Sequence, residues 1–311
     1  MMVPMSILHN LPDRLSKIAS AAKNCTKLLG PGIAAWGVLY HCTHRCKDRY
    51  YAMFNNALWR KEMATIPFDA EAMASLPTTN DGPIWVAWWQ GLDEHTPPVV
   101  RACIDSIVRH ANGRKVIIIT KDNYSEYAQI DPVLVRRREA GTLTINAFCN
   151  ALRVMLLYRH GGVWLDSTLY LTGDLSDDFG KYPFYSINSK HAEYPWTTYC
   201  LASVPGNPFM KYIYDCFVKV FSVIDAVPEY FLFDSFIYNA YTHIPQVKAM
   251  IDAVPENNSA SFDMSEQLDQ VKAKPTLPAD TYINKLTYKL HYPTQVGGAP
   301  TLFRHVLDGE V

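Results

Sequence analysis

No run in this chain is long and apolar enough to cross a bilayer. The longest weakly polar stretch, Leu28 to Tyr40, is interrupted by Gly30-Pro31-Gly32 and falls short of the roughly 20 residues that a spanning helix needs. The first residues lack a continuous apolar core followed by a small-residue cleavage site, so no signal peptide is read there and a cytoplasmic location is expected. An excess of one charge is also missing. The formal net charge is -1, which removes any global electrostatic reason for a nucleic-acid partner. The seven cysteines are odd in number and scattered, which suits a reducing compartment better than a disulfide framework. His41, Cys42, His44 and Cys46 match no zinc spacing and have no second pair nearby, so ordinary thiols and imidazoles are expected there. Absence of G-x-x-x-x-G-K-S, G-x-G-x-x-G and G-x-S-x-G patterns takes away the usual support for kinases, dehydrogenases and α/β hydrolases. There is no internal repeat and no low-complexity tract.

What is present is a large core. The chain has 311 residues, 49% hydrophobic and 19% charged, a balance that argues against disorder. Residues 77 to 82, Pro-Thr-Thr-Asn-Asp-Gly, form a turn cluster, which suggests a helical N-terminal extension over 1–80 and a main domain over 81–311. Residues 1 to 66 carry nine Lys or Arg against three Asp or Glu, about +6, and the remainder carries about -7. Helical patterns over Leu11 to Leu29 and Arg49 to Met63 interleave apolar residues with these cations. They suit a helical layer with a basic solvated face, or peripheral contact with an anionic membrane surface.

Beyond residue 81 the pattern alternates between strands and helices. Ile84-Trp85-Val86-Ala87-Trp88-Trp89 reads as a first buried strand, Pro97 to Ala111 as a helix and Lys115 to Thr120 as a β-branched second, parallel strand. Phe184 to Ile187 and Cys200 to Ser203 read as strands, and Pro208 to Val223 as a helix. The alternation predicts an α/β fold with an open mixed sheet flanked by helices.

The most informative stretch is residues 146 to 175. Leu152, Met155, Leu156 and Tyr158 fit the apolar face of a helix that starts near Ile145, and Gly161-Gly162 stops it. Val163-Trp164-Leu165 is a buried-strand triplet, which puts Asp166 at the carboxyl end of a strand, the edge where open α/β sheets bind ligands. Taken alone, an acid there is as readily a turn cap.

The spacing of Arg153, Gly161, Gly162 and Asp166 resembles the capsular polysaccharide synthesis proteins, which are related to D-x-D sugar transferases and to the catalytic domain of glucosylating toxins. That family reads S-D-x-x-R, an apolar helix, then Y-G-G, three hydrophobic residues and D-x-D or D-x-T. Asp166-Ser167-Thr168 fits the D-x-T form. The resemblance implies a single GT-A-type nucleotide-sugar-binding domain. It also implies a hexosyltransferase that moves a hexose from a UDP-sugar to a glycan or lipid-linked oligosaccharide, with retention, in capsular or surface polysaccharide synthesis. A divalent cation, Mn²⁺ or Mg²⁺, is expected, with Asp166, Thr168 and His305 as candidate ligands. Two departures stand out. Asn150 replaces an acid and brings hydrogen-bonding capacity without charge, and Thr168 replaces the second acid with a weaker ligand for a hard cation.

Further roles follow from the resemblance and from position. Trp85, Trp88, Trp89 and Gly91 resemble the family's W-x-x-W-W-x-G, so Trp88 and Gln90 become candidate nucleotide contacts and Trp85 is assigned to the core. Asp122, after the second strand, is placed to meet the uridine or to cap a helix. Asn150 and Arg153 would bind sugar hydroxyls, and Asp166 with Ser167 would meet the donor. Asp234 lies among Phe231, Phe233 and Phe236, where desolvating a carboxylate is costly unless it is paired or faces a cavity. The cavity is the expected placement, with Asp234 contacting the acceptor or the anomeric centre. Lys285, Lys289, His291 and His305 sit in the final segment, where a cation would stabilise the leaving diphosphate. Lys289 is the first choice and His305 the second. Retaining transfer demands no dedicated base, and no acid-base pair is evident near Asp166. Two rival readings are an inactive sugar-nucleotide-binding scaffold of a polysaccharide assembly complex and transfer onto a protein side chain.

Overall fold

The computed structural model describes residues 11–189 and 193–311. By its contacts the chain divides into two compact units. One gathers the described residues up to Asp69 with Ile130–Val154 and Lys211–Pro245, and the other gathers Ala70–Gln129, Met155–Met210 and Gln246–Val311.

The second unit is built on short apolar strands. They are β1 (Ile84–Ala87), β2 (Val116–Ile119), β3 (Gly162–Leu165), β4 (Leu169–Leu171), β5 (Phe184–Ser186), β6 (Cys200–Ser203) and β7 (Ile283–Lys285). Five of them form one sheet in the order β2-β1-β3-β6-β5. β1 is parallel to both β2 and β3, while β6 is antiparallel to β3 and to β5, so the sheet is mixed, as its pattern predicts. Every residue of β3 is buried, which explains a continuous apolar triplet instead of alternation. β4 leaves the sheet and pairs antiparallel with β7, setting Leu169 opposite Lys285. A final ribbon joins β8 (Gln295–Val296) to β9 (Ala299–Pro300).

Two glycines fix the entry into β3. Gly161 and Gly162 have φ of 64° and 95°, conformations that side chains resist. A Cβ on Gly162 would stand 2.1 Å from the Pro83 carbonyl oxygen. Asn80 locks this crossing: its Oδ1 accepts from the Gly162 N–H at 2.7 Å and its Nδ2 donates to the Gly162 carbonyl at 3.0 Å. Trp85 is buried, as expected of a core residue, and its indole N–H donates to the Gly161 carbonyl at 2.9 Å.

The first unit is helical. Leu11–Leu29 forms one helix with the bounds that its periodicity predicts, and Gly30 with Pro31 at the first position of Pro31–Thr43 separates the next. The expected Arg49 to Met63 helix begins earlier, at Lys47, and its last five residues, Trp59–Met63, widen into a π-helix. These N-terminal helices share their unit with later segments through specific bonds. Asn24 Oδ1 accepts from the N–H groups of Asp225 and Ala226, and Tyr212 donates to the Met63 carbonyl. The fully buried Glu229 carboxylate meets the His41 imidazole at 3.0 Å and accepts from the hydroxyls of Tyr50 and Tyr51 at 2.8 and 2.9 Å. His41 is thus spent on a carboxylate contact. Among the described residues no group of three or more His, Cys, Asp or Glu side chains is arranged to hold a metal, and no helix is long and apolar enough to cross a membrane.

Candidate active site

The parallel strands place the site. β1 neighbours both β2 and β3, so the connections leaving the carboxyl ends of β1 and β3 diverge, and it is at the edge of such a strand order that sheets of this kind bind ligands. Trp88 follows β1, and Asp166 follows β3. The backbone N–H of Asp166 bonds to the Tyr199 carbonyl at 2.9 Å, and its carbonyl accepts from Leu169 N–H at 2.9 Å, closing a turn over Asp166-Ser167-Thr168 that feeds β4. All three turn residues are half-buried.

The Asp166 side chain is held from two sides. Its Oδ1 accepts from the indole N–H of Trp164 at 2.9 Å, and its Oδ2 accepts from Lys285 Nζ at 2.9 Å. The same ammonium donates to Thr168 Oγ1 at 2.9 Å and lies 5.1 Å from the centre of the Tyr199 ring, within cation–π range. Backbone pairing fixes where Lys285 stands. Its N–H bonds to the Ser261 carbonyl at 2.6 Å, and the next N–H, of Leu286, bonds to the Thr168 carbonyl at 2.9 Å. The Tyr199 and Ser261 hydroxyls are 2.9 Å apart. Burial pushes the Tyr199 phenol up to about 12, so it stays neutral beside the Asp166–Lys285 pair. Lys285 is 20% and Asp166 27% exposed at the side chain, open enough for a ligand to reach both.

Three residues beyond Lys285 the chain meets the first strand's edge. The Tyr288 ring stands edge-on to Trp88, with centroids 5.7 Å apart. One short segment of the C-terminal region therefore touches the residues that follow β1 and the turn that follows β3. Trp88 is half-buried, while Gln90 is exposed in the turn after it. Asp122 is exposed and its N–H bonds to Thr120 Oγ1. The cap position of the short Tyr124–Tyr127 helix belongs to Asn123 instead.

The remaining candidates stand on other elements or in the other unit. Lys289 is exposed, and the ammonium that reaches Asp166 is that of Lys285. His305 sits on the Leu302–Asp308 helix with its Nδ1 2.6 Å from Glu310. In the first unit, Asn150 and Arg153 are three apart on the Ile145–His160 helix and so share a face. Arg153 is buried, its guanidinium 5.7 Å from the centre of the Phe233 ring. Asp234 is half-buried in the first turn of the Leu232–His243 helix, where a carboxylate complements the positive helix end. That position keeps Asp234 partly in water although three phenylalanines surround it in sequence.

The donor set at the turn fits an ammonium better than a divalent cation. Hard cations take six or more oxygens, preferably charged. Asp166 supplies the turn's single carboxylate, and its Oδ2 and Thr168 Oγ1 both bind the Lys285 ammonium. Sequence reasoning named Lys285 without choosing it, read Trp164 only as a buried strand residue, and missed Tyr199 and Tyr288 altogether. Trp164 at two positions before the acid was a usable signal, because side chains two apart on a strand share a face.

Comparison with known proteins agrees with the motif. A family model described as capsular polysaccharide synthesis protein matches residues 46–306. Among solved structures the chain is similar to one titled "PaToxG Glycosyltransferase", at 15% identity and a TM-score of 0.37, over 66% of this chain and 83% of that one. No curated protein matches.

Proposed function

Since the chain belongs to the capsular polysaccharide synthesis protein family, we propose that it is a glycosyltransferase that moves a hexose from a UDP-sugar to a hydroxyl of a glycan or lipid-linked oligosaccharide, with retention. The observation that carries this reading is the Asp166 carboxylate, oriented by Trp164 and Lys285 at the carboxyl end of β3, where the strand order changes direction.

The chemistry asked of these residues is binding and charge stabilisation. Trp88, whose ring plane is nearly perpendicular to that of Tyr288, is the aromatic to stack on a uracil, and stacking of this type is worth about 1 to 3 kcal/mol per base. Gln90 and Asp122 are exposed at the ends of neighbouring parallel strands, a placement suited to the uridine and its ribose. Asp166 is an acceptor for ribose or sugar hydroxyls, with Ser167 beside it in the turn. Asn150 and Arg153 keep the role that their motif gives them, binding sugar hydroxyls, and Asp234 that of an acceptor contact. In retaining transfer on one face the departing phosphate oxygen takes the acceptor's proton, so no side-chain base is required of this site.

The test is release of UDP from a panel of UDP-sugars by the intact chain and by Asp166→Ala, with and without Mn²⁺. Release from one donor, lost in the variant, supports the transferase and names its sugar. Binding without turnover of any donor, with any acceptor, would favour the scaffold reading. No binding of any donor would end both.

A further inference from the structure

The pair that Lys285 makes with Asp166 and Thr168 bears on how the donor's diphosphate is neutralised. In a two-acid site a divalent cation bridges the carboxylates and the phosphates. Here the second acid is Thr168, and an ammonium stands where both side-chain oxygens converge, 2.9 Å from each. We propose that Lys285 supplies the positive charge toward the diphosphate, so that donor binding requires no divalent cation. The inference rests on the transferase reading of this site and adds the identity of its charge-supplying group.

Three features equip Lys285 for that task. Its position is set by backbone, through the Leu169–Lys285 register of β4 and β7 and the N–H bonds to Ser261 and from Leu286 to Thr168, so little is lost in ordering it when ligand arrives. Its ammonium has three donors; Asp166 and Thr168 take two, and the third is available to a phosphate oxygen. Its side chain is also 20% exposed, open enough for a phosphate oxygen to reach the ammonium. Tyr199, held neutral by burial, shields the cation on one side without competing for it as an anion would.

Lys285 makes and breaks no covalent bond in the transfer. The bond between the sugar's anomeric carbon and the β-phosphate oxygen breaks, and its electron pair stays on that oxygen. The acceptor oxygen bonds to the anomeric carbon and its proton passes to the departing phosphate oxygen, giving the glycoside and UDP. The ammonium stabilises the charge that builds on the diphosphate during bond breaking, the kind of preorganised interaction that lowers a barrier most effectively.

The experiment is calorimetric titration of UDP into the full chain, in excess EDTA and again with Mn²⁺, for the unsubstituted chain, Lys285→Met and Lys285→Arg, with thermal melting of each to establish folding. The expected result is UDP binding that survives EDTA, weakened about 10- to 100-fold in Lys285→Met and largely retained in Lys285→Arg. Binding abolished by EDTA and restored by Mn²⁺ would overturn the inference while leaving the transferase reading intact. That arm uses the unsubstituted chain, so it decides the matter even if Lys285→Met fails to fold. EDTA-resistant binding that is unchanged in a folded Lys285→Met would also overturn it. If UDP does not bind under either condition, the transferase reading fails and the inference with it.

Discussion

Lys285 reaches across 119 residues of sequence to donate a 2.9 Å hydrogen bond to Asp166. Trp164 holds the carboxylate's other oxygen at the same distance, so both oxygens of the family's surviving acid are oriented by protein groups. This is how a half-buried strand-end carboxylate acquires a single geometry: each donor removes rotational freedom that substrate binding would otherwise have to remove.

Asp166→Asn keeps the size of the side chain and removes its charge. Turnover of the preferred donor is expected to fall by about 10²- to 10³-fold, the usual effect of losing a preorganised electrostatic contact. The pair with Lys285 is partly exposed, so the loss of stability in urea unfolding should be only about 1 kcal/mol. Turnover equal to that of the native chain would remove Asp166 from the chemistry.

Trp85→Ala and Trp88→Ala should fail differently, although the residues are three apart. Trp85 is buried and its indole N–H bonds to the Gly161 carbonyl, so truncation should cost about 3 to 5 kcal/mol of folding stability. Trp88 is half-buried at the strand's end, and its truncation should weaken UDP binding by about 1 to 3 kcal/mol with a smaller change in melting. Equal effects of the two variants on binding and on melting would refute the division of labour.

Gly162→Ala should be severely destabilising. The new Cβ would meet the Pro83 carbonyl oxygen at 2.1 Å, and φ is 95°, so clash and backbone strain add, at about 1 to 3 kcal/mol for the strain alone. Gly206→Ala, also at positive φ but with open space around it, is the control and should lose less. Denaturant midpoints for the two variants make the comparison.

Glu229 predicts a dependence on acid. Burial pushes its carboxyl up, yet the hydrogen bonds from His41, Tyr50 and Tyr51 outweigh burial and leave it below its ordinary value of 4.5. A depressed folded value means that the unfolded chain binds the proton first, so the stabilisation is complete above about 4.5 and is lost as pH falls through the lower folded value. Unfolding midpoints measured from pH about 6 down to about 3 should therefore decline less steeply in Glu229→Gln than in the native chain. Parallel declines would show that the carboxylate is not a source of acid sensitivity.

The sequence by itself determined the local elements and the acid. The Pro208–Val223 helix, the first helix, the paired glycines that end the Ile145–His160 helix and the buried β3 triplet are all set by the spacing of apolar residues and by backbone freedom within a few positions. Asp166 follows from them because the strand end is a local fact. Tertiary structure decided what the acid is bonded to. Lys285 and Lys289 are indistinguishable by composition, and only the pairing of β4 with β7 turns Lys285 toward Asp166, since a shift of one residue in register would send that side chain to the opposite face. The same holds for Tyr288 against Trp88 and for Glu229 beneath His41, Tyr50 and Tyr51. Contacts between segments more than a hundred residues apart depend on how strands and helices register against one another, and no short-range spacing records it.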